Sequence, residues 1–310
     1  MEQSYIETTQ LTKTYHGKTV VDHLELRVPE HAIYGFLGPN GAGKSTTMKM
    51  LLGLISQDSG TLQIGGQQMN DKNRIAILKG VGSLIENPSY YGNLSAYENL
   101  QISCMLLGLP FQEIDRVLSI VRLDGQKRKK TAHYSLGMKQ RLGLANALLG
   151  SPKLVLLDEP TNGLDPAGIH EMRELVKSLP KQYGMTVMIS SHLLSEMEQT
   201  VDCIGIISRG ELIFQDTLVS LQTRSTRQLY LRTSDDLGAV AFLKDQNQFP
   251  GLDHLSYSKE DGILLPFLPD ERLGVLLRGI SGQGLLIYRL EDRIQNLEDL
   301  YLGMVKEAGL

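Results

Sequence analysis

Long apolar runs are missing from this chain: no stretch reaches the ~18 consecutive apolar residues that a membrane-spanning helix needs. The first residues, Met1-Glu2-Gln3-Ser4-Tyr5, carry no basic cluster followed by an apolar segment, so no secretory leader is expected. Cysteine is scarce. Cys104 and Cys203 stand far apart without metal-ligand spacing, which excludes a disulfide framework and a zinc module and suits reduced thiols in a cytosolic compartment. Charge of either sign is modest, with a net of −4 over 310 residues, which argues against nucleic acid as the main partner. The length allows one large domain and a smaller one. Hydrophobic content of 41% and charged content of 21% are ordinary for a globular protein.

What the chain does have is Gly38-Pro39-Asn40-Gly41-Ala42-Gly43-Lys44-Ser45-Thr46, two glycines four residues apart followed by Lys and Ser. Ala32-Ile33-Tyr34-Gly35-Phe36-Leu37 before it reads as a buried strand, and Thr47-Met48-Lys49-Met50-Leu51-Leu52 after it as the first turns of a helix. In that context the spacing describes a phosphate cradle. Glycines reach positive φ and turn backbone N–H groups inward, and the helix presents its positive end to the same anion. Lys44 is placed to bridge β- and γ-phosphates, and the Ser45 hydroxyl to ligate Mg²⁺.

Upstream, residues 5–30 alternate apolar and polar, predicting an antiparallel ribbon. Tyr15 falls at its turn, placed either to stack on an adenine ring or to pack the hairpin end. Val81-Gly82-Ser83-Leu84-Ile85 predicts a strand ending at Glu86-Asn87-Pro88. From Ser95 to about Leu149 the pattern is helical, opened by the capping box Ser95-Ala96-Tyr97-Glu98, with Leu100, Met105, Leu106, Leu107 and Leu109 along one helical stretch. Lys127-Arg128-Lys129-Lys130 reads as a solvated loop, with acidic lipid headgroups as the other reading. Ser135 is placed as the N-cap of a further helix, where its hydroxyl and the N–H groups behind it make a second anion site.

The fully apolar Leu154-Val155-Leu156-Leu157 predicts a strand buried in a parallel sheet, ending in Asp158-Glu159-Pro160. Asn162-Gly163-Leu164-Asp165-Pro166 turns the chain into a helix, and Thr186 to Ser191 predicts another strand with His192 at its end. The phosphate loop, the paired acids and His192 thus share the carboxyl edge of one sheet, where ligands of open α/β sheets bind. Asp158 suits a Mg²⁺ site, Glu159 suits polarising an attacking water, and His192 suits the γ-phosphate or that water. Phosphoryl transfer needs little beyond such positioning and charge.

Across residues 5–220 this motif set resembles the ATP-binding cassette (ABC) ATPases. Lys44 and Ser45 match the Walker A loop, Asp158 and Glu159 the Walker B pair, and Asn162 to Asp165 the D-loop. His192 matches the switch histidine and Tyr15 the adenine-stacking aromatic. The resemblance implies an α/β fold: a P-loop NTPase core of the ABC type with an antiparallel β subdomain and a helical subdomain at about 88–150. The cassette would span 1–222, with a small C-terminal α+β appendage at 223–310.

It also implies an ATPase with ATP and Mg²⁺ as cofactors. Gly38, Asn40, Gly41, Gly43, Lys44, Ser45 and Thr46 would hold the phosphates, Tyr15 the base, and Ser45, Asp158 and Glu86 the metal. A head-to-tail homodimer would sandwich two ATP molecules, with Ser135, Gly137 and Asp165 facing nucleotide. Such a chain sits in the cytoplasm, peripheral on the inner face of the membrane through separate integral permease subunits. It does not itself bind the transported compound, and nucleic acid is no partner.

Two positions depart from the family. Ser135-Leu136-Gly137-Met138 replaces the usual Ser-Gly-Gly-Gln, and Glu86 stands where Gln is usual. Both, with Gly82 to Glu86, resemble the bacitracin and lantibiotic self-protection exporters. Glu86 is expected to link the γ-phosphate to transport, with 87–93 in the docking cleft; Tyr90 and Tyr91 either receive a permease helix or cap the subdomain's own core. Other cassette proteins act in translation or DNA repair, but those carry paired cassettes or a long coiled-coil insertion. A non-hydrolysing regulator is the third reading, opposed by the intact Lys44, Asp158, Glu159 and His192.

Overall fold

Alternation over the first residues becomes a long strand. The computed structural model describes residues 4–85, 89–224, 227–244, 252, 255–258, 262–294 and 296–308. In it, β1 (Ser4–Tyr15) pairs antiparallel with β2 (Lys18–Leu24) and with β3 (Arg27–Pro29). Ile6, Leu11, Val21, Leu24, Leu26 and Val28 are all fully buried, so the ribbon spends one face on the core. Thr8, also buried, keeps its hydroxyl satisfied by donating to Leu24 O at 2.7 Å and accepting from Leu26 N at 2.8 Å. β5 (Ser59–Ile64) and β6 (Gln67–Gln68) complete this sheet.

The second sheet positions the site. Its order is β11 (Glu211–Thr217), β10 (Cys203–Ser208), β4 (Ile33–Leu37), β9 (Thr186–Ser191), β8 (Leu154–Asp158), β7 (Val81–Leu84). All neighbours are parallel except β11, which returns on β10 as a hairpin. Every residue of β4 and of β9 is buried, as is Leu154 to Leu157 of β8, the pattern of strands covered on both faces. Helix α1 (Lys44–Leu51) follows β4; α2 (Arg74–Leu78) precedes β7; α6 (Pro166–Tyr183), α7 (Leu194–Met197) and α8 (Leu218–Thr223) follow later. The α1 helix begins at Lys44, ahead of the expected Thr47, because Gly43 serves as its N-cap.

Three helices form the expected helical subdomain: α3 (Ala96–Leu107), α4 (Gln112–Ile120) and α5 (Leu136–Ala147). The capping box is present. Glu98 N donates to Ser95 Oγ at 3.2 Å while Ser95 N donates to Glu98 Oε2 at 2.7 Å. Leu100 and Cys104 turn inward, whereas Met105, Leu106 and Leu107 are 63%, 82% and 61% exposed. Three consecutive side chains span about 200° around a helix, so one buried face cannot take them all. The 127–130 run forms a surface loop in which Lys127 Nζ meets Asp115 at 2.8 Å. The α5 helix lies tight on β7 at Gly82, where an added Cβ would come within 1.9 Å of Ala147 O.

The chain divides into two compact units, Val219–Gly303 and the remainder. The smaller unit carries an antiparallel sheet of order β13 (Ser256–Ser258), β14 (Gly262–Pro266), β12 (Arg227–Thr233), β15 (Ile287–Ile294). The α9 (Asp236–Lys244) and α10 (Asp270–Gly282) helices supply Ala239, Leu243, Leu276 and Ile280 to a core with Leu229, Leu231, Ile263 and Leu265. β15 starts at Ile287 and continues through a charged segment to Ile294. The last helix, α11, spans Leu297–Glu307.

Candidate nucleotide site

The loop between β4 and α1 is shaped by two left-handed glycines, Gly41 at φ 80° and Gly43 at φ 112°. A Cβ at Gly43 would come within 2.7 Å of Val20 O, so conformation and space both demand glycine there. No side chain caps the α1 N-terminus and no acid stands in its first turn, which leaves its N–H groups for an outside anion. Asn40 and Ser45 are exposed and Thr46 is half-buried beside this cradle.

Lys44 is only 6% exposed. Its ammonium donates to Gly38 O at 2.6 Å and Pro39 O at 3.1 Å, with Glu159 Oε1 at 3.9 Å. Burial pushes its pKa down, and the nearby Glu159 and Asp158 carboxylates oppose that. A cation so desolvated is suited to a phosphate, whose charge restores what water no longer supplies.

Across the sheet edge, the β8–β9 ladder ends with Asp158 in register with Ser190. The Ser190 hydroxyl donates to Asp158 Oδ1 in a short hydrogen bond and accepts from Glu159 N at 3.0 Å. Glu159 takes φ 47°, a left-handed conformation uncommon outside glycine. Both its oxygens are engaged: Oε1 by His192 Nδ1 at 3.2 Å, Oε2 by Asn162 Nδ2 at 3.3 Å. Lys44, Asp158, Glu159 and His192 therefore converge as the sequence predicts.

The remaining expected site residues that the structure describes sit at other element ends. Tyr15, 40% exposed, ends β1 with the Lys13 ammonium 5.3 Å from its ring centre, while Asp58 holds both Lys13 Nζ and Thr14 N at 2.7 Å. Ser135 caps α5 through Met138 N at 3.3 Å, and Asp165 caps α6 through Gly168 N at 2.9 Å. The start of α5 faces the D-loop turn: Gly137 has Leu164 Cδ2 as its neighbour and Gly163 has Leu136 Cδ2. Glu86, with Asn87 and Pro88, lies outside the described residues. Sequence reasoning missed Ser190 and Glu196, for which residue type alone gives no signal.

Hard oxygen donors are present for a divalent cation: the Ser45 hydroxyl and the Asp158 carboxylate beside the phosphate cradle. Among the described residues no cluster of three or more His, Cys, Asp or Glu is able to hold a metal ion. That donor set fits Mg²⁺, which takes one or two protein oxygens together with phosphate and water.

Residues 21–162 match the family model described as ABC transporter. Over 301 residues, 97% of either chain, the protein is 42% identical to the bacitracin transport ATP-binding protein BcrA of Bacillus licheniformis. The chain belongs to the ABC transporter ATP-binding proteins. It is 44% identical over 210 residues to the lantibiotic transport ATP-binding protein SrtF of Streptococcus pyogenes, covering 68% of this chain and 90% of that one. Among solved structures, an ATP-binding subunit of an ABC transporter aligns with TM-score 0.63 and 29% identity, over 71% of this chain and 93% of that chain. CbiO1 of Clostridium perfringens, part of the ABC transporter complex cbiONQ, aligns with TM-score 0.67 and 25% identity over 72% and 92%. These alignments cover the cassette fold, so the α/β P-loop architecture and nucleotide binding follow from family membership.

Proposed function

We propose that this chain hydrolyses ATP to energise export of an antimicrobial peptide or drug, as an ATP-sandwiched homodimer beneath separate membrane permeases. The observation that carries the reading is the convergence of Lys44, Glu159 and His192 at one sheet edge, beside a helix N-terminus left open to an anion. The 42% and 44% identities to bacitracin and lantibiotic transport proteins support the export side.

The residues divide the work as follows. The glycine loop and Lys44 bind the β- and γ-phosphates, and Lys44 neutralises charge that builds on the leaving oxygen. Glu159 orients a water for in-line attack on the γ-phosphorus and accepts its proton as the new O–P bond forms and the bond to ADP breaks. His192, already 3.2 Å from Glu159, holds that carboxylate in place and faces the γ-phosphate. Ser45 and Asp158 would hold Mg²⁺, which would supply charge neutralisation on the phosphate oxygens. Ser135 and Gly137 of a second copy close over the γ-phosphate, and Tyr15 stacks on adenine. Glu86 would carry the state of the γ-phosphate to the transport subunits.

A cleft of about 620 Å³ between α3 and the sheet is lined by Leu52, Leu54, Tyr90, Tyr91, Ile102 and Leu106 among others. Among the described residues its lining includes no charged one. Burial pushes the Tyr90 hydroxyl up to about 12. This is where a short apolar permease helix would seat, holding the chain at the inner membrane face; no helix among the described residues is long and apolar enough to cross it.

Glu159→Gln tests the hydrolytic reading. It should lower turnover by about 100-fold or more and leave dimers that persist while ATP is present. Parent-like turnover, or dimers that part as fast as the parent's, would remove Glu159 from the role of base.

A further inference from the structure

Glu196, on the short α7 helix, has no role in the hydrolytic reading, yet its carboxylate stands where two functional loops meet. Its Oε2 accepts from Thr161 Oγ1 at 2.8 Å and from Ser191 Oγ at 3.0 Å. Thr161 follows Glu159 by two residues, and Ser191 immediately precedes His192. One oxygen atom thus holds the backs of two loops whose front side chains, Glu159 and His192, meet at 3.2 Å.

The location adds a second argument. The β8–β9 ladder ends at the Asp158–Ser190 pair, with one more backbone bond from Glu159 N to Ser190 O at 3.3 Å. Beyond it the strands diverge into loops, and the Thr161–Glu196–Ser191 bridge continues the cross-link by side chains. Glu159 needs such support. A left-handed φ of 47° in a residue with a long side chain persists only where the surroundings over-determine it. Ser191 is 3% exposed, so its hydroxyl depends on protein partners: it donates to Glu196 Oε2 at 3.0 Å, with Leu193 O a longer second acceptor at 3.4 Å, and accepts from Leu193 N at 3.0 Å. The acid also lines a small cavity with Ile169, Met172, Arg173, Met197 and Thr200.

We infer that Glu196 is a positioning residue for hydrolysis: by accepting hydrogen bonds from Thr161 and Ser191 it fixes the Glu159 and His192 loops relative to each other. The inference rests on the reading of Glu159 as the base. In this reading Glu196 acts only through its hydrogen bonds to Thr161 and Ser191. Its removal should therefore spare ATP binding and slow the chemical step, because a small misplacement of a reacting group costs rate more than affinity.

The test compares Glu196→Ala, Glu196→Gln and Glu159→Gln in the full chain, measuring kcat, KM for Mg-ATP and ATP-dependent dimer formation. Glu196→Ala should lower kcat about 10-fold or more with KM within about threefold. Glu196→Gln, which keeps an acceptor oxygen, should return kcat to within about threefold of the parent. A kcat for Glu196→Ala within about twofold of the parent's, or a Gln variant as slow as the Ala variant, overturns the inference. Should Glu196→Ala fail to fold, Thr161→Val removes one donor at nearly constant volume and must lower kcat without raising KM; an unchanged kcat overturns the proposal. Glu159→Gln separates the two levels. Turnover surviving in that variant defeats the base assignment, whereas an inactive Glu159→Gln beside a normal Glu196→Ala defeats only the Glu196 bridge.

Discussion

The cassette and the tail are built with similar cores and put to different use at their edges. Leu156 in the core sheet and Leu231 in the tail sheet are both fully buried. Backbone strain separates them. Every non-glycine residue with left-handed φ among the described ones lies before residue 210, Glu159 among them, while the described residues of the tail take positive φ only at Gly262 and Gly284. Buried charge follows the same line, since Lys44 sits at 6% exposure inside the phosphate loop. Strain and desolvation cost free energy and are retained where they preorganise a site. The described residues of the tail show neither and pack as a sheet covered by helices.

The largest effect that sharpens this contrast is at Lys44. Lys44→Ala should weaken nucleotide binding by at least about 100-fold, the loss of charge-assisted hydrogen bonds to phosphate. Its folding stability without nucleotide should stay the same or rise, because burial already disfavours the charged ammonium. Equilibrium titration with a fluorescent ATP analogue, beside a thermal melt, checks both halves. A large drop in melting temperature without nucleotide would mean that Lys44 supports the fold, and the contrast with the tail would weaken.

Most of the cassette was legible because its signals are local. An apolar run, glycines at fixed spacing and a helix pattern specify the β4–loop–α1 unit without reference to distant residues, and Asp158, Glu159 and His192 each end a strand. Relations in space were not legible. Ser190 matters because register sets it opposite Asp158, and Glu196 because α7 folds it onto Thr161 and Ser191. The exposed Met105, Leu106 and Leu107 show the limit of periodicity, which places residues on a helix without saying what covers each side. The tail offers only short apolar runs, such as Leu285 to Tyr288. The short β13 has too little sequence to give a signal, and β15 carries Arg289, Glu291, Asp292 and Arg293, so the run that ends at Tyr288 understates its length.

A middle-sized effect probes the tail. Leu231→Ala empties space in a buried β12 position against Leu229, Ile263 and Leu265 and should cost about 2–5 kcal/mol of that unit's stability. The KM for ATP should not change. Denaturant unfolding followed alongside ATPase rates reads both. A shift in ATP affinity of similar size would show that the tail is energetically tied to the nucleotide site, and the two regions would have to be treated as one.

The smallest effect lies at the cassette's exposed rim, where function should rest on weak contacts. The Asp58 carboxyl is held below its usual range by the Lys13 side chain and then by Thr14 N, and the same Lys13 lies 5.3 Å from the Tyr15 ring. A depressed carboxyl contributes while it is ionised, above its unfolded pKa, and loses that contribution as pH falls through its folded value. The arrangement around Tyr15 should therefore be intact at neutral pH and lost only on acidification below the usual carboxylate range. Asp58→Asn should raise KM for ATP by no more than about threefold at neutral pH, since exposed ion pairs hold little. A tenfold rise would show the rim to be as finely positioned as the strand ends, and preorganisation would then extend from the phosphates to the base.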